Sequence, residues 1–141
     1  MIRGAEAKDA EAIASLAGEL GYPSTVAEVA PRLARLLASP DDVVLVAVEG
    51  EQVAGWIHVA IDSSLENDPR ALIQGLVVGE SFRARGLGAE LVRAGESWAR
   101  EQGVRQIRVR TNVVRERTHR FYEREGYTRT KQSLVFDKSL V

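Results

Sequence analysis

Two kinds of hydrophobic spacing follow one another along this chain. Over roughly the first forty residues, apolar side chains recur every three or four positions, which predicts two helices, over 9–20 and 25–38. Asp9 can cap the first helix, and Ser24 or Thr25 can cap the second. Pro31 falls inside the second pattern, so we predict either a kink there or a later start of that helix.

Longer apolar runs then predict strands. These are Val43–Val48, Val53–Ile61 and Ala71–Val78, with a hairpin turn at 49–52 and a shorter strand at Ile2-Arg3. Beyond them the pattern predicts helices over 87–102 and 115–125, a strand within 104–112, and an antiparallel pair of final strands at 127–130 and 134–140. The order β-α-α-β-β-β-α-β-α-β-β predicts a mixed α/β fold, in which a meander is followed by one βαβ unit.

Length and composition narrow the class of protein. A chain of 141 residues with 45% apolar and 28% charged residues predicts a single globular domain over 1–141. The absence of cysteine excludes disulfides, thiolate metal sites and a cysteine nucleophile, and the two distant histidines, His58 and His119, do not indicate a metal site. No apolar run approaches the roughly 20 residues of a membrane helix, and the first residues lack a signal-peptide pattern. We therefore expect a cytoplasmic protein with neither a metal nor a membrane partner.

Charge is divided unevenly along the chain. Residues 1–82 carry 5 Lys or Arg and 13 Asp or Glu, a net charge of −8, whereas residues 83–131 carry 13 and 6, a net charge of +7. The overall net charge of −1 conceals this difference. Such a split is typical either of two ligand environments, one for a cation and one for an anion, or of solvated helix faces.

The stretch Leu76–Gly88 is the strongest candidate for an anion site. The apolar run 76–78 breaks at Gly79, and an Arg- and Gly-rich turn over 83–88 opens directly into the predicted third helix. Free amides at a helix start, together with the helix dipole, favour a bound anion, and glycines let the backbone approach it closely. Two neighbouring arginines, Arg83 and Arg85, favour a phosphorylated ligand.

Two motifs in this chain resemble those of the GNAT superfamily of acyl-CoA-dependent N-acyltransferases. The first is Arg83-Ala84-Arg85-Gly86-Leu87-Gly88, which matches the family pattern Arg/Gln-x-x-Gly-x-Gly/Ala after a strand. The second spans 111–127 and includes Asn112, Arg115 and Phe121-Tyr122 before Gly126-Tyr127. The resemblance covers essentially the whole chain. It implies a central twisted mixed sheet of six to seven strands flanked by about four helices.

Two positions depart from the family pattern. Thr118 stands where the family usually has Ala, a modest change in a close-packed helix. Gln74 stands where several members carry a catalytic Glu on the central strand. The second departure leaves the residue that deprotonates the acceptor open.

The resemblance also implies a donor site. It assigns acetyl-CoA as co-substrate, with its pyrophosphate at the turn 83–88 and its pantetheine arm along the main chain of 76–78. An amide of that strand would face the thioester oxygen as charge develops on it. Asn112 would meet the pantetheine amides, although an Asn here can also end a strand and cap the next helix. The implied donor-binding residues are Leu76, Val77, Val78, Arg83, Ala84, Arg85, Gly86, Leu87, Gly88, Asn112 and Arg115.

Acyl transfer to an amine needs two proton steps. Tyr122 matches the family tyrosine that protonates the departing thiolate, and Phe121 beside it is expected to be a core aromatic. Gln74 cannot accept a proton but could orient a water that does. His58 lies on a central strand and is either a candidate base or a packed strand residue. His119 matches a recurrent family position with a structural role.

The resemblance therefore implies an N-acetyltransferase in which a primary amine attacks acetyl-CoA directly in a ternary complex. The alternative is a non-catalytic acyl-CoA-binding sensor or scaffold, which the missing carboxylate at Gln74 keeps open. No aromatic-interleaved basic patch supports nucleic-acid binding. We expect a small-molecule or peptide amine as acceptor, cationic in keeping with the acidic first half, at a site framed by the first two helices and the 62–69 loop. A homodimer is compatible with the family, but no sequence feature requires one.

Overall fold

A five-stranded sheet forms the centre of the first of two units in the computed structural model, Met1–Val109 and Arg110–Val141. The structure describes residues 1–141. The strands follow chain order across the sheet; their bounds are Ile2–Gly4 (β1), Asp42–Glu49 (β2), Gln52–Asp62 (β3), Arg70–Val78 (β4) and Ile107–Val109 (β5). Neighbours from β1 to β4 are antiparallel, and β5 is parallel to β4. The predicted meander, the βαβ unit and the mixed α/β class are therefore confirmed.

Three helices of this unit cover the two faces of the sheet. They are Ala10–Glu19 (α1), Val26–Ala38 (α2) and Leu87–Glu101 (α3). α1 and α2 share one buried cluster with β2, which includes Ile13, Leu33 and Val46. α3 lies on the opposite face, where its Gly95 approaches Ile57 so closely that a Cβ would be 3.3 Å from the Ile57 Cδ1. A fully buried aliphatic side chain such as that of Ile57 contributes roughly 1.5–3 kcal/mol to the stability of the fold.

The start of α2 is fixed by a reciprocal pair of hydrogen bonds. Glu28 N donates to the Thr25 hydroxyl at 3.1 Å, and Thr25 N donates to the Glu28 carboxylate at 2.9 Å. α2 therefore begins at Val26 and includes Pro31, so the later start that we predicted as one option is wrong. The capping bonds hold the first turn in place, and Pro31 removes only one helical N–H donor.

Asp9 precedes α1 as predicted, but its side chain does not cap that helix. Its carboxylate accepts hydrogen bonds from Glu6 N at 2.7 Å and from the Arg3 guanidinium at 2.8 and 3.0 Å. The hydrogen bond from Arg3 lowers the pKa of Asp9 below its ordinary value. Asp9 thus ties β1 to the turn that leads into α1, because an ionised arginine is a stronger partner than a helix amide.

The second unit, Arg110–Val141, contains one helix, Glu116–Arg124 (α4). Neither predicted final strand, at 127–130 or 134–140, forms, so the sheet has five strands rather than six or seven. A strand is stabilised by a hydrogen-bonded neighbour and by the burial of one face. These residues have neither in this chain, since Leu134 and Phe136 are 83% and 87% exposed. No helix of the protein combines the length and apolarity needed to cross a bilayer.

Candidate functional site

One edge of β4 opens halfway along the strand. β3 pairs with β4 along its whole length, but β5 pairs only with Ala71–Ile73. From Gln74 onward, the backbone groups of β4 that point away from β3 have no strand beside them. An extended, amide-bearing ligand can bind such an edge as an added strand. The segment Leu76–Val78, predicted to bind the arm of the donor, lies on this open edge.

A β-bulge lies where the edge opens. His58 pairs with Gly75, and Val59 pairs with Ile73, so Gln74 is an extra residue without a partner on β3. Gln74 is exposed. Bulges bend a strand and change the direction of its side chains. The position predicted to orient a water is therefore the irregular residue of β4.

The segment after β4 is held to the rest of the unit by hydrogen bonds that its backbone N–H groups donate. Gly79 N donates to Ala54 O at 2.7 Å, and Glu80 N donates to the Oε1 of Glu19, at the end of α1, at 2.9 Å. A Cβ on Gly79 would lie 3.0 Å from Leu16 Cδ2, so the close approach of α1 favours glycine here. α1 therefore contacts the segment that follows β4 and helps to hold it in place.

Two residues of the Arg- and Gly-rich turn have left-handed backbone conformations. The φ angle is +65° at Ala84 and +78° at Gly86. This region costs an L-residue other than glycine roughly 1–2 kcal/mol, so Ala84 holds a strained shape. Turns that contain left-handed residues can direct successive N–H groups into one concavity, which suits an anion.

α3 begins directly after Gly86 with uncapped amides. No side chain accepts a hydrogen bond from the first amides of the helix, and the helix dipole makes this end partly positive. Leu87, the first residue of the helix, is buried at 3% exposure. Arg83 and Arg85 are exposed, and the Arg85 guanidinium lies 5.5 Å from the ring centre of Phe82. The turn predicted to bind pyrophosphate thus combines free N–H donors, a helix N-terminus and two arginines.

His58 is hydrogen-bonded rather than simply packed. Its Nε2 lies 2.7 Å from Asp42 Oδ1, and the two side chains are 19% and 17% exposed. Asp42 Oδ2 accepts a hydrogen bond from Ser39 Oγ at 2.8 Å. Sequence reasoning identified His58 but missed Asp42 and Ser39, because nothing in their local pattern separates them from an ordinary helix-to-strand turn.

Trp56 lies on the same face of β3 as His58, two residues away. A Cβ on Gly75 would be 2.8 Å from both Cη2 and Cζ3 of Trp56, so the indole covers Gly75. The Nε1 of Trp56 is buried and has no hydrogen-bond partner in the chain. A buried donor without an acceptor costs about 1–3 kcal/mol, so this N–H is a candidate contact for a bound molecule.

Asn112, in the second unit, organises the turn that leads into α4. Its Oδ1 accepts a hydrogen bond from Val114 N at 3.1 Å, and its carbonyl accepts from Arg115 N at 3.0 Å and from His119 Nε2 at 2.8 Å. The residue that caps α4 is Arg115. Asn112 therefore closes a turn before the helix. This differs from the helix cap that was predicted from the sequence as the alternative to donor binding. Because a carbonyl only accepts, His119 carries a proton on Nε2 and serves this turn.

Tyr122 is buried in the second unit, at 6% exposure. Its ring packs edge-to-face on Phe121 and Tyr127, with centroid distances of 5.0 and 5.4 Å. Burial raises the pKa of Tyr122 to about 12. The hydroxyl is therefore protonated at neutral pH, which is the form that a general acid requires.

Comparison with known proteins identifies relatives along most of the chain. The profile of the acetyltransferase (GNAT) family matches residues 11–127. An aminoglycoside N(6')-acetyltransferase type 1 of Serratia marcescens is 26% identical over 111 residues, which cover 74% of this chain and 75% of that protein. An aminoalkylphosphonate N-acetyltransferase of Salmonella typhimurium is 42% identical over 69 residues, which cover 48% of this chain and 43% of that protein. Both motifs noted in the sequence lie within the family match.

Solved structures share the fold. The aminoglycoside N-acetyltransferase AAC(6')-Iy, in complex with CoA, superposes with a TM-score of 0.88 over 98% of this chain and 93% of that one. The sequence identity is 20%, so the likeness establishes the fold alone.

Proposed function

The chain belongs to the GNAT family of acetyltransferases, and on this premise we propose that it transfers the acetyl group of acetyl-CoA to a primary amine by direct attack in a ternary complex. The observation that carries the proposal is the open edge of β4, which continues into the uncapped amides at the start of α3. Such an edge suits a ligand with an extended, amide-bearing arm and an anionic end. Acetyl-CoA has both, in its pantetheine and its pyrophosphate. The proposal treats residues 1–141 as one catalytic domain.

In this proposal the donor is bound mainly by backbone. The N–H groups of the turn 83–88 and the start of α3 receive the pyrophosphate, and Arg83 and Arg85 neutralise its charge. The main chain of Leu76–Val78 pairs with the pantetheine amides. By resemblance to the family, Asn112 and Arg115 also contribute to donor binding.

The transfer forms one bond and breaks one. The lone pair of the neutral amine attacks the thioester carbon, the C–N bond forms, and the C–S bond breaks with its electron pair leaving on sulfur. A backbone N–H of Leu76–Val78 stabilises the negative charge that develops on the thioester oxygen. The nitrogen, positively charged once the C–N bond has formed, releases its second proton to solvent, and Tyr122 donates its phenolic proton to the departing thiolate and regains one from solvent.

The amine must lose a proton before it attacks. An aliphatic amine has a pKa near 10 and is mostly charged at neutral pH. His58 receives this proton, directly or through a water that Gln74 orients. The position of His58 supports this role, because His58 pairs with Gly75, the residue before the segment that binds the donor arm. An imidazole at this point can accept a proton, which the amide of Gln74 cannot.

The acceptor in this proposal is a small cationic amine. The first 82 residues carry 13 acidic and 5 basic side chains, which favours a cation over an anion at that part of the protein. The buried indole N–H of Trp56 offers a donor to a polar group of the acceptor. Two relatives are named for acting on aminoglycosides and aminoalkylphosphonates, so these two classes come first in an acceptor panel, followed by polyamines and peptide amines.

The proposal is tested by incubating the purified chain with acetyl-CoA and the amine panel while free thiol is measured. Thiol release that depends on one class of amine is expected. The N-acetylated form of each amine is the matched control, because it has the same shape without the nucleophile. Tight CoA binding with no turnover on any amine would instead support a non-catalytic acyl-CoA-binding module.

A further inference from the structure

Asp42 and His58 form a pair that neither of the family motifs includes. We propose that Asp42 is a positioning residue, which fixes the tautomer of His58 so that Nδ1 is the atom that takes the proton from the acceptor amine. This inference rests on the proposed function, because it concerns how that reaction is initiated. It assigns the first proton step to a pair held within β2 and β3.

The tautomer follows from the chemistry of the contact. The Nε2 of His58 lies 2.7 Å from Asp42 Oδ1, a short hydrogen bond. An ionised carboxylate can only accept, so the proton of this bond belongs to Nε2. A neutral imidazole carries one proton, which leaves the lone pair on Nδ1. No side chain of the protein hydrogen-bonds Nδ1 in the structure, so that lone pair is free for the substrate or a water.

Asp42 is itself held by a second partner. Ser39 Oγ donates to Asp42 Oδ2 at 2.8 Å, and Asp41 N donates to Ser39 Oγ at 3.2 Å. Both oxygens of the carboxylate are therefore engaged, one with the serine and one with the imidazole. A carboxylate clamped in this way presents one oxygen to His58 in a fixed direction, which is the usual means of orienting a functional imidazole.

The register of the sheet brings this pair to the reacting part of β4. Asp42 pairs with Ala60, two residues from His58 on β3, so the two side chains share one face of the sheet. His58 in turn pairs with Gly75 on β4, and Leu76 is the next residue. Opposed Cα atoms in an antiparallel pair are about 4.5–5.5 Å apart. The imidazole is therefore one strand away from the amides proposed to stabilise the thioester oxygen.

The tautomer can be measured without any activity assay. Long-range proton–nitrogen NMR correlations distinguish an Nε2–H from an Nδ1–H imidazole, and the chain has only two histidines. The signals that disappear in His58→Gln belong to His58. We expect a single Nε2–H form in the wild type and a mixture of forms in Asp42→Asn, whose amide can also donate. A mixture of forms in the wild type would overturn the inference.

Kinetics test whether that tautomer matters. Asp42→Asn should lower kcat by roughly 10²-fold, the scale of general base catalysis, with the KM for acetyl-CoA unchanged within about twofold. The matched control is Asp41→Asn, which removes the same charge at an exposed neighbour that does not contact His58. It should keep wild-type kcat. Ser39→Ala retains the charge and loosens the clamp, so it should lower kcat by only about two- to tenfold, as expected for one lost hydrogen bond.

The double variant separates positioning from structural support. In a His58→Gln background, Asp42→Asn should cause no further loss of kcat, because Asp42 acts only through the imidazole. An equal loss in both backgrounds, or an unchanged kcat in Asp42→Asn alone, would overturn the inference. Wild-type protein that acetylates no amine, yet shows the single Nε2–H form, would count against the proposed function and leave the geometry of the pair intact. Urea unfolding of each variant identifies any loss of activity that comes from loss of fold.

Discussion

The backbone N–H of Glu80 donates a hydrogen bond to the Oε1 of Glu19 across 2.9 Å, although the two residues are 61 positions apart. Glu19 is the last residue of α1, and Glu80 opens the short 3₁₀ turn that follows β4. The contact therefore joins the end of one helix to the start of the loop proposed to bind pyrophosphate. It holds one end of that loop in place before the donor arrives.

Loss of this contact should weaken donor binding. In Glu19→Ala, the Kd for CoA should rise roughly two- to tenfold, since one net hydrogen bond is worth about 0.5–1.5 kcal/mol. Glu19→Gln keeps an oxygen that can accept from Glu80 N, so its Kd should stay near the wild-type value. Isothermal titration calorimetry with CoA measures both. Equal weakening in the two variants would show that the charge of Glu19, rather than the hydrogen bond, matters.

Substitutions at the two left-handed residues of the turn, Ala84 and Gly86, should have different effects on stability. Gly86 has a φ of +78° and open space around the position of a Cβ, so Gly86→Ala acts through backbone strain alone. It should lower the free energy of unfolding by about 1–2 kcal/mol and weaken CoA binding. Ala84→Gly removes strain at φ +65° and should change stability by less than about 1 kcal/mol.

Urea unfolding measures the stability of the two variants, and calorimetry measures their affinity for CoA. Wild-type stability in Gly86→Ala would mean that residue 86 does not hold a left-handed conformation in solution.

Tyr122→Phe should separate catalysis from binding. Because the proposed role of Tyr122 is to donate a proton only to the departing sulfur, kcat should fall by roughly 10²-fold while the Kd for CoA changes by less than about twofold. Tyr127→Phe, which removes a hydroxyl from the ring that packs on Tyr122, is the matched control and should retain kcat. Steady-state kinetics with the best amine of the panel give the comparison. An active Tyr122→Phe enzyme would assign the protonation of sulfur to solvent.

The same tyrosine should make stability depend on alkaline pH. Burial raises the pKa of Tyr122 in the folded state to about 12, above its ordinary value of 10.0. The unfolded chain therefore releases this proton first, and the stabilisation is complete below pH 10 and lost as the pH rises toward 12. This difference between the pKa values of Tyr122 in the folded and unfolded chain corresponds to about 2–3 kcal/mol of stability.

Urea unfolding of wild type and Tyr122→Phe at several pH values tests this dependence. The difference between their free energies of unfolding should shrink by that amount between neutral pH and pH 12. A difference that stays constant would show that Tyr122 titrates normally.

Local patterns predicted most of the fold. The 3.6-residue spacing and the candidate cap at Ser24 or Thr25 predicted α2, and continuous apolar runs predicted β2, β3 and β4 to within about one residue. The two final strands were wrong for a different reason. Their apolar residues suit a strand, but a strand exists only where a neighbour supplies hydrogen bonds, and local sequence cannot state whether that neighbour is present.

The turn 83–88, proposed to bind the donor, and the Asp42–His58 pair differ in how far sequence can predict them. The turn 83–88 is formed by consecutive residues, so its glycines and arginines predict it directly. Asp42 and His58 meet only because the register of β2 and β3 shifts between Ala47 and Val48. Extending the register of the hairpin turn without that shift would pair Asp42 with Val59 and turn it to the opposite face from His58. A bulge of one residue, which no local pattern predicted, therefore creates the pair.

The most direct test of the proposed transfer follows the acetyl group itself. The chain is mixed with acetyl-CoA labelled in the acetyl group and with the amine that releases most thiol, and the products are separated and analysed by mass spectrometry. The account predicts that the label appears on the amine in an amount equal to the free CoA formed. Label that stays on CoA, or that is released as acetate whether or not the amine is present, would contradict it.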